Sequence, residues 1–214
     1  MKVVKVSTAA AALSDPLSPY WSSAAKERLS MMPTPLAMVD EVSPFLAISN
    51  DHGSVEEAEV AALHDGRTLT LRLSWAMPKA ADKIDDLDRF VDAAAVIFPL
   101  ARNASAMTMG AKGQPTNAWY WKAGKPHPYD VIAEGFGSSQ RHDGATSSLS
   151  ARAIHADGRW HVVFQRPLET SRDRVRFVPG KKTGIAFAIW DGRNRERSGR
   201  KSFSGEFIPL EIAG

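Results

Sequence analysis

Strict alternation of polar and apolar residues, closed by tight-turn dipeptides, is the feature that most restricts the fold of this chain. From Leu69 to Trp75 every second residue is apolar, so these apolar side chains share one face of an extended strand. Similar segments recur further along the chain. The dipeptides Asp65-Gly66, Asp157-Gly158 and Asp191-Gly192 adjoin them and suit the positive φ angles of tight hairpin turns. The pattern predicts three hairpin-like units in antiparallel sheets.

The remaining segments complete an all-β prediction. Ala93–Leu100 is apolar throughout and is predicted to be a buried strand that ends near Pro99. Within Lys79–Val91 apolar residues recur at helical spacing, which predicts a short helix between strands. The first 45 residues contain five prolines and few strand signals, so we expect an irregular segment that wraps the sandwich or contacts a partner. We therefore predict one domain over residues 1–214, an antiparallel β-sandwich with a few short helices.

The absence of cysteine from all 214 residues excludes several kinds of redox and metal site. Disulfides, cysteine nucleophiles, iron–sulfur ligation, cysteine zinc sites and covalent c-type haem attachment all need a thiol. A redox or metal role would therefore use His, Met, Lys, Asp or Glu. The net charge of +3 is small and only Arg193–Lys201 is densely basic, so we expect no nucleic-acid partner. No apolar run approaches the ~18 residues of a membrane span, so none is predicted.

Motifs of catalysis are missing from the sequence. There is no G-x-S-x-G elbow, H-E-x-x-H pair, Walker loop or EF-hand loop. The six histidines are scattered, and none has a second histidine four residues away. Asp65 and Asp191 are better explained as turn residues than as catalytic carboxylates. The missing motifs argue against a hydrolase.

The segment Ala101–Ala123 is the unusual part of the sequence. Its small-residue loop carries Met107 and Met109, and the aromatic triple Trp119-Tyr120-Trp121 follows. Three interpretations are open from these residues alone. The aromatic rings could form a platform for sugar rings, a methionine thioether could bind a soft metal or haem iron, or all of them could simply fill a core.

A family resemblance extends over nearly the whole chain. The matching motifs are Pro33–Leu36, Glu41–Ala47, Val60–His64, Phe98–Arg102, Thr108–Gly110, Asn117–Ala123, Ile185–Gly192 and Glu196–Phe207. In these motifs the chain resembles the haem-binding gamma subunit of ethylbenzene dehydrogenase, within the wider family of haem subunits of dimethylsulfide-dehydrogenase-type molybdoenzymes. The likeness weakens at Met1–Pro16 and at Ser138–Ser150.

The resemblance implies a site as well as a fold. Members of this family are β-sandwiches that hold one haem b through an axial methionine and an axial lysine. The matching positions here are Met109 in Thr-Met-Gly and Lys201 in Gly-Arg-Lys-Ser, and Met107 is the nearby competitor. A lysine binds iron only as the neutral amine, although its ordinary pKa is about 10.4. Burial and the bond to iron must lower that pKa between them, and we expect the positive charges of the neighbouring arginines of Arg193–Arg200 to lower it further.

The resemblance also implies a function. The chain is expected to be a non-catalytic electron-transfer subunit, with a molybdenum catalytic subunit that hydroxylates a hydrocarbon anaerobically and an iron–sulfur subunit. Ethylbenzene is the favoured substrate, and a steroid side chain or another alkylaromatic would suit the same subunit. A soluble acceptor such as a cytochrome c would take the electrons. The N-terminus is a poor secretory signal, so the chain alone would be expected in the cytoplasm. The resemblance implies a periplasmic complex instead, with this subunit exported alongside a signal-bearing partner. The alternative is a carbohydrate-binding module that uses Trp119, Tyr120 and Trp121.

Overall fold

Strands make up most of the regular structure in this chain. The computed structural model describes residues 1–35, 51–84, 87 and 89–214. In chain order the strands are β1 (Lys2–Lys5), β2 (Glu27–Ser30), β3 (Met32–Pro33), β4 (Glu57–His64), β5 (Thr68–Ala76), β6 (Ala93–Pro99), β7 (Thr116–Lys122), β8 (Tyr129–Ala133), β9 (Gln140–Asp143), β10 (Ser150–Ala156), β11 (Arg159–Pro167), β12 (Lys182–Trp190), β13 (Ser202–Phe203) and β14 (Ile208–Ile212). The short helices are α1 (Ala10–Leu13) and α2 (Tyr20–Ser23), and a 3₁₀ turn spans Gly144–Ser147.

Two layers of strands pack face to face, which confirms the predicted all-β sandwich. One layer has the order β10-β11-β5-β4 and the other has the order β12-β6-β7-β8-β9. Strand β1 joins them, because it pairs in parallel with β4 and with β14, and β14 pairs with β12. The described strand pairings that do not involve β1 are antiparallel. The assignment of residues 1–214 to one domain stays a prediction.

The core between the layers comes from the alternating faces that the sequence predicts. Every second residue of β5, from Leu69 to Trp75, is buried against the other layer. Tryptophan rings meet across the interface: the ring centroids of Trp75 and Trp121 are 6.3 Å apart, and those of Trp121 and Trp160 are 4.9 Å apart. Edge-on aromatic pairs of this kind add stabilisation beyond the area they bury.

A buried ion cluster lies at one end of this core. The Asp130 carboxylate accepts hydrogen bonds from Asn117, Arg166 and Arg174, with an Arg174 Nε–Oδ2 distance of 2.7 Å. Burial alone would raise the pKa of Asp130, but the Asn117 hydrogen bond and the Arg166 charge outweigh it, so that pKa lies below its ordinary value. The cluster ties β7, β8 and β11 together.

Two of the three predicted Asp-Gly turns are confirmed. Asp65-Gly66 joins β4 to β5, and Asp157-Gly158 joins β10 to β11. At the third, β12 does have an antiparallel partner, β13, but Asp191-Gly192 begins a long loop over residues 191–201 and not a tight turn. Gly192 serves another purpose there: a Cβ atom on it would lie 2.0 Å from the carbonyl oxygen of Phe90.

Two further predictions need correction. The described residues of Lys79–Val91 form no helix; the side chains of Ile84 and Leu87 are exposed, so a helix would have had no apolar face to bury. The first 45 residues are not simply irregular, since residues 1–35 supply β1, β2, β3 and both helices. Short strands that contain charged residues carry little local signal, and it is pairing with β4, β13 and β14 that forms them. Pro44 and the motif Glu41–Ala47 lie outside the described residues.

No helix in the described part of the chain is both long and apolar enough to cross a membrane.

Candidate functional site

Small side chains form an apolar floor on the outer face of the second layer. Strand β6 directs Val96 and Phe98 into the core and Ala95 and Ile97 to the opposite face. Because the strands are in register, cross-strand neighbours form two rows on this outer face. The rows are Ala188–Ala95–Tyr120–Tyr129 and Ala186–Ile97–Ala118–Val131. Alanines in both rows leave room above the sheet for a flat group.

Loops and aromatic rings close this floor into a cleft. The Trp190 ring lies 5.2 Å from that of Tyr120, and its indole N–H donates to the carbonyl oxygen of Ser198 at 3.0 Å, which holds the loop before β13. Together they form an open cleft whose lining is mostly apolar, as is typical of ligand sites. Its lining residues are Ala95, Ile97, Met109, Ala118, Tyr120, Val131, Phe136, Gly137, Ser139, Arg141, Trp190, Ser198, Gly199 and Lys201.

Met109 lines this cleft from the loop that connects β6 to β7. Its φ of 58° is in the left-handed region, which a bulky side chain rarely adopts. Local hydrogen bonds hold it there: its carbonyl oxygen accepts from the Gly135 N–H at 3.0 Å, and the Gly110 N–H donates to Ser105 O at 2.8 Å. Backbone strain of this kind is typical of functional positions. Met107, two residues earlier, is not among the lining residues.

Lys201 lines the same cleft from the residue before β13. The Lys201 carbonyl oxygen accepts from the backbone N–H of Thr34 at 3.1 Å and from its hydroxyl at 3.2 Å. On the other side, Ser202 pairs with Ile189 of β12. Strands β3 and β12 therefore fix the backbone at Lys201 and direct its side chain inward, where only 5% of the residue is exposed.

The ammonium group of Lys201 has no ordinary partner. Within the described part of the chain, no carboxylate or hydrogen-bond acceptor contacts its Nζ, which lies 5.7 Å from the centroid of the Trp190 ring. Burial lowers the pKa of Lys201 to about 8. The expected contribution of the neighbouring arginines is not needed, because burial accounts for this decrease. Two of them make contacts elsewhere: Arg200 pairs with Asp51, and Arg197 lies over the ring of Phe90.

Two glutamates hold the segments that carry Met109 and Lys201. The Glu206 carboxylate accepts from the Ser105 hydroxyl at 2.6 Å and from the Ala106 N–H at 3.0 Å, so it ties the Met109 loop to the loop between β13 and β14. Glu196 is buried and accepts from the backbone N–H groups of Gly53, Ser54 and Asp191 at 2.7 to 3.0 Å. It thereby anchors the loop that leads from β12 to Lys201.

The donor set of the cleft fits a haem. A thioether and an amine of lowered pKa face one space with apolar walls, and both are ligands that haem iron accepts when the amine is neutral. At a pKa of about 8, roughly one tenth of Lys201 is neutral at pH 7, so iron binding must supply only about 1.4 kcal/mol to complete the deprotonation. No group of three or more His, Asp or Glu residues in the described ranges is arranged to hold a metal ion.

The structure separates the aromatic triple that the sequence brings together. Trp119 is fully buried and Trp121 is 6% exposed, and both pack in the core between the layers. Only Tyr120 points to the cleft. The three rings therefore cannot form a sugar-binding platform, and the packing interpretation is correct for the two tryptophans.

Two lining residues, Arg141 and Trp190, and two residues that anchor the nearby loops, Glu196 and Glu206, were missed from the sequence. They are far apart in the chain, and nothing in the residues next to each one indicates a shared site. The alanines did offer a signal. In β12 they alternate with large apolar residues from Ile185 to Ile189, and in β6 three alanines precede Val96; a strand that is apolar on both faces is typically buried on both.

Comparisons with known proteins identify the family of this chain. A sequence model of the family described as Ethylbenzene dehydrogenase matches residues 18–152 and 142–202.

Three relatives of this chain are named as haem subunits or gamma subunits. The chain is 35% identical over 153 residues to a Haloferax mediterranei protein named as respiratory nitrate reductase heme subunit ORF7 (71% of this chain, 54% of that protein). It is 31% identical over 163 residues to the chlorate reductase subunit gamma of Ideonella dechloratans (74% and 66%). It is 28% identical over 200 residues to the dimethylsulfide dehydrogenase subunit gamma of Rhodovulum sulfidophilum (91% and 73%). The chain thus spans about half to two thirds of the length of the first two.

Among solved structures, a family 9 carbohydrate-binding module of Caldicellulosiruptor kristjanssonii in complex with glucose has a similar fold. The TM-score is 0.54 at 9% sequence identity, covering 100% of this chain and 95% of that one. At such low identity the likeness concerns the β-sandwich fold alone.

Proposed function

We propose, from the premise that the chain belongs to the ethylbenzene dehydrogenase family of haem-binding gamma subunits, that it is a haem b electron-transfer subunit. The observation that carries this proposal is the convergence of Met109 and Lys201 on one apolar cleft. A lysine without a function in the cleft would lie at the surface and not be buried without a partner, because desolvation of its charge destabilises the fold. A neutral amine that binds iron removes that penalty.

The two side chains have complementary roles in this proposal. Met109 is the thioether ligand, a soft and neutral donor that favours ferrous iron and raises the reduction potential. Lys201 is the amine ligand, and the rigid backbone between β3 and β12 positions it. When bound, the haem supplies one-electron transfer. Met109 and Lys201 would both be engaged in holding the iron, so the haem would serve electron transfer and this chain would contribute no catalytic residue.

The names of the relatives support a proposal for the complex to which this chain belongs. We place the chain beside a molybdenum catalytic subunit and an iron–sulfur subunit, because relatives are gamma subunits of chlorate reductase and dimethylsulfide dehydrogenase. Anaerobic hydroxylation of a hydrocarbon such as ethylbenzene, another alkylaromatic or a steroid side chain is the favoured reaction, on the description of the matching family. A soluble acceptor such as a cytochrome c would receive the electrons in the periplasm, after co-export with a signal-bearing partner.

An absorption spectrum tests the haem assignment. The purified chain, reconstituted with haem b, is expected to give the sharp bands of a low-spin haem. Met109→Ala and Lys201→Ala should each convert it to a high-spin spectrum and change its reduction potential. Met107→Ala and Lys112→Ala are the matched controls, since Met107 does not line the cleft and Lys112 is exposed. A wild-type chain that binds no haem, or ligand variants that keep the wild-type spectrum, would refute the assignment.

Co-purification tests the assembly. A tagged chain isolated from its native cells should bring down two further subunits together with molybdenum and iron, measured by elemental analysis. Periplasmic and cytoplasmic fractions, separated by osmotic shock, should place the complex in the periplasm. Turnover of ethylbenzene with an artificial electron acceptor tests the substrate. Chlorate or dimethylsulfide turnover in its place would move the complex to another branch of the family without affecting the haem assignment.

A further inference from the structure

The charges around the cleft are unevenly distributed. Among its lining residues the cations are Lys201 and Arg141, and there is no carboxylate. Lys201 is buried beside β12, whereas Arg141 is exposed on β9, the edge strand of the same layer. Four strand-to-strand steps separate β12 from β9, which is about 19 Å at ~4.8 Å per step. The two cations therefore lie at opposite ends of the floor.

Strand register places Arg141 on the cleft side of the sheet. The floor row Ala186–Ile97–Ala118–Val131 continues across β9 to Arg141, because Val131 pairs with Arg141. Its guanidinium carbon lies 5.5 Å from the centroid of the Tyr120 ring. An apolar row thus ends in a cation at the open edge of the cleft.

The guanidinium of Arg141 is available for a ligand. No carboxylate in the described residues forms an ion pair with it. Asp143, two residues further along β9, accepts a hydrogen bond from the Ala145 N–H at 2.9 Å and does not line the cleft. The surroundings are otherwise positive: the pKa of Lys122 is lowered by burial first and then by the charges of Arg141 and Lys125. This edge of the cleft attracts anions.

A haem combines an apolar ring with two propionate carboxylates on one edge. The ring suits the alanine floor, and the carboxylates need a polar, hydrated position with a cation. We propose that Arg141 binds a haem propionate and so determines which edge of the haem faces the mouth of the cleft. An arginine suits this task because its planar guanidinium can donate two parallel hydrogen bonds to one carboxylate. This inference rests on the proposed function.

Haem and its dimethyl ester distinguish this role, because the ester lacks the propionate charges and keeps the ring and the iron. Both are titrated into the cofactor-free chain, and the dissociation constants are measured by absorbance. The wild type should bind haem about tenfold more tightly than the ester. Arg141→Gln should weaken haem binding by about that factor, leave ester binding unchanged, and so abolish the preference. Arg141→Lys should keep part of it.

Arg152→Gln is the matched control, since Arg152 is also exposed on an edge strand, β10, at the other end of the strand order. It should keep the wild-type preference for haem. An Arg141→Gln variant that still prefers haem over the ester as strongly as the wild type would overturn this inference and leave the haem assignment intact. A wild-type chain that binds neither compound would overturn both.

Discussion

Replacing Lys201 by methionine should stabilise the cofactor-free protein at pH 7, although it removes a residue of the candidate site. Burial lowers the pKa of Lys201 from 10.5 to about 8, which corresponds to about 3 kcal/mol at 1.36 kcal/mol per pKa unit. At pH 7 the lysine is mostly protonated in both the folded and the unfolded chain, so the folded protein carries nearly that whole penalty. Methionine has a similar length and no charge, and it should remove up to about 3 kcal/mol of destabilisation.

The pH dependence gives the sharper test. Between about pH 8 and pH 10.4 the folded protein holds Lys201 neutral while the unfolded chain still binds a proton there. Because the unfolded state binds more protons in this window, the free energy of unfolding of the wild type rises with pH relative to that of the variant. Above about pH 10.4 both states are neutral and the advantage of Lys201→Met should vanish.

Urea denaturation of the cofactor-free wild type and Lys201→Met, at several pH values from 7 to about 10.5, measures this difference. Lys112→Met is the control, and because Lys112 is exposed its effect should be small and independent of pH. With haem present the order should reverse, since only the wild type keeps the amine ligand. A variant that is less stable than the wild type at pH 7, with a gap that does not change toward pH 10, would refute the account of Lys201 as a buried and unpaired cation.

Three other substitutions test neighbouring parts of the structure. Asp130→Asn should destabilise the fold by about 3–5 kcal/mol near neutral pH, because it leaves the buried Arg166 without its carboxylate and removes one of the two ion pairs of Arg174. The pKa of Asp130 lies below its ordinary value, so the wild type should lose this stability advantage as the pH falls below about 4 and the carboxylate takes up a proton. Urea denaturation of the wild type and of the variant from pH 3 to 7 measures the difference. Met109→Gly should raise the free energy of unfolding of the cofactor-free protein by about 1 kcal/mol, because glycine adopts a φ of 58° without strain. A haem titration of the same variant should show weaker binding than the wild type. Gly192→Ala should lower the free energy of unfolding by more than about 2 kcal/mol, because its Cβ atom would clash with the carbonyl oxygen of Phe90. A urea midpoint equal to that of the wild type would contradict the close contact between Gly192 and Phe90.

The parts of the fold that the sequence predicts are those with local signals. Alternation from Leu69 to Trp75 and the Asp65-Gly66 turn are properties of adjacent residues, and the structure has both. Strand β1 is different: Lys2–Lys5 is short and half charged, and only its pairing with β4 and β14, far along the chain, makes it a strand. The short helix predicted in Lys79–Val91 is absent from the described residues. Its apolar residues have the spacing of a helix, but there is no apolar surface against which they could pack.

The candidate site follows the same rule. Met109 and Lys201 were proposed from motifs that resemble a family, and no pattern within Arg193–Lys201 indicates that its last residue is buried. Burial of Lys201 arises from contacts with Thr34 and Trp190, both distant or separated by a loop. Arg141 lies in the polar stretch Gln140–Asp143, and only the register with Val131 places it beside the cleft.

Glu206 links two segments of the protein that are far apart in the sequence. Ligation of one iron by Met109 and Lys201 would close a ring of about 90 residues, comparable with a long-range disulfide and worth about 4–5 kcal/mol on chain entropy alone. The Glu206 carboxylate joins the same two parts of the chain by hydrogen bonds, from the loop after β13 to the Met109 loop. Unlike a covalent cross-link, these bonds exist only in the folded chain, so they leave the entropy of the unfolded chain unchanged. A haem that binds between Met109 and Lys201 would then meet segments that Glu206 already holds together.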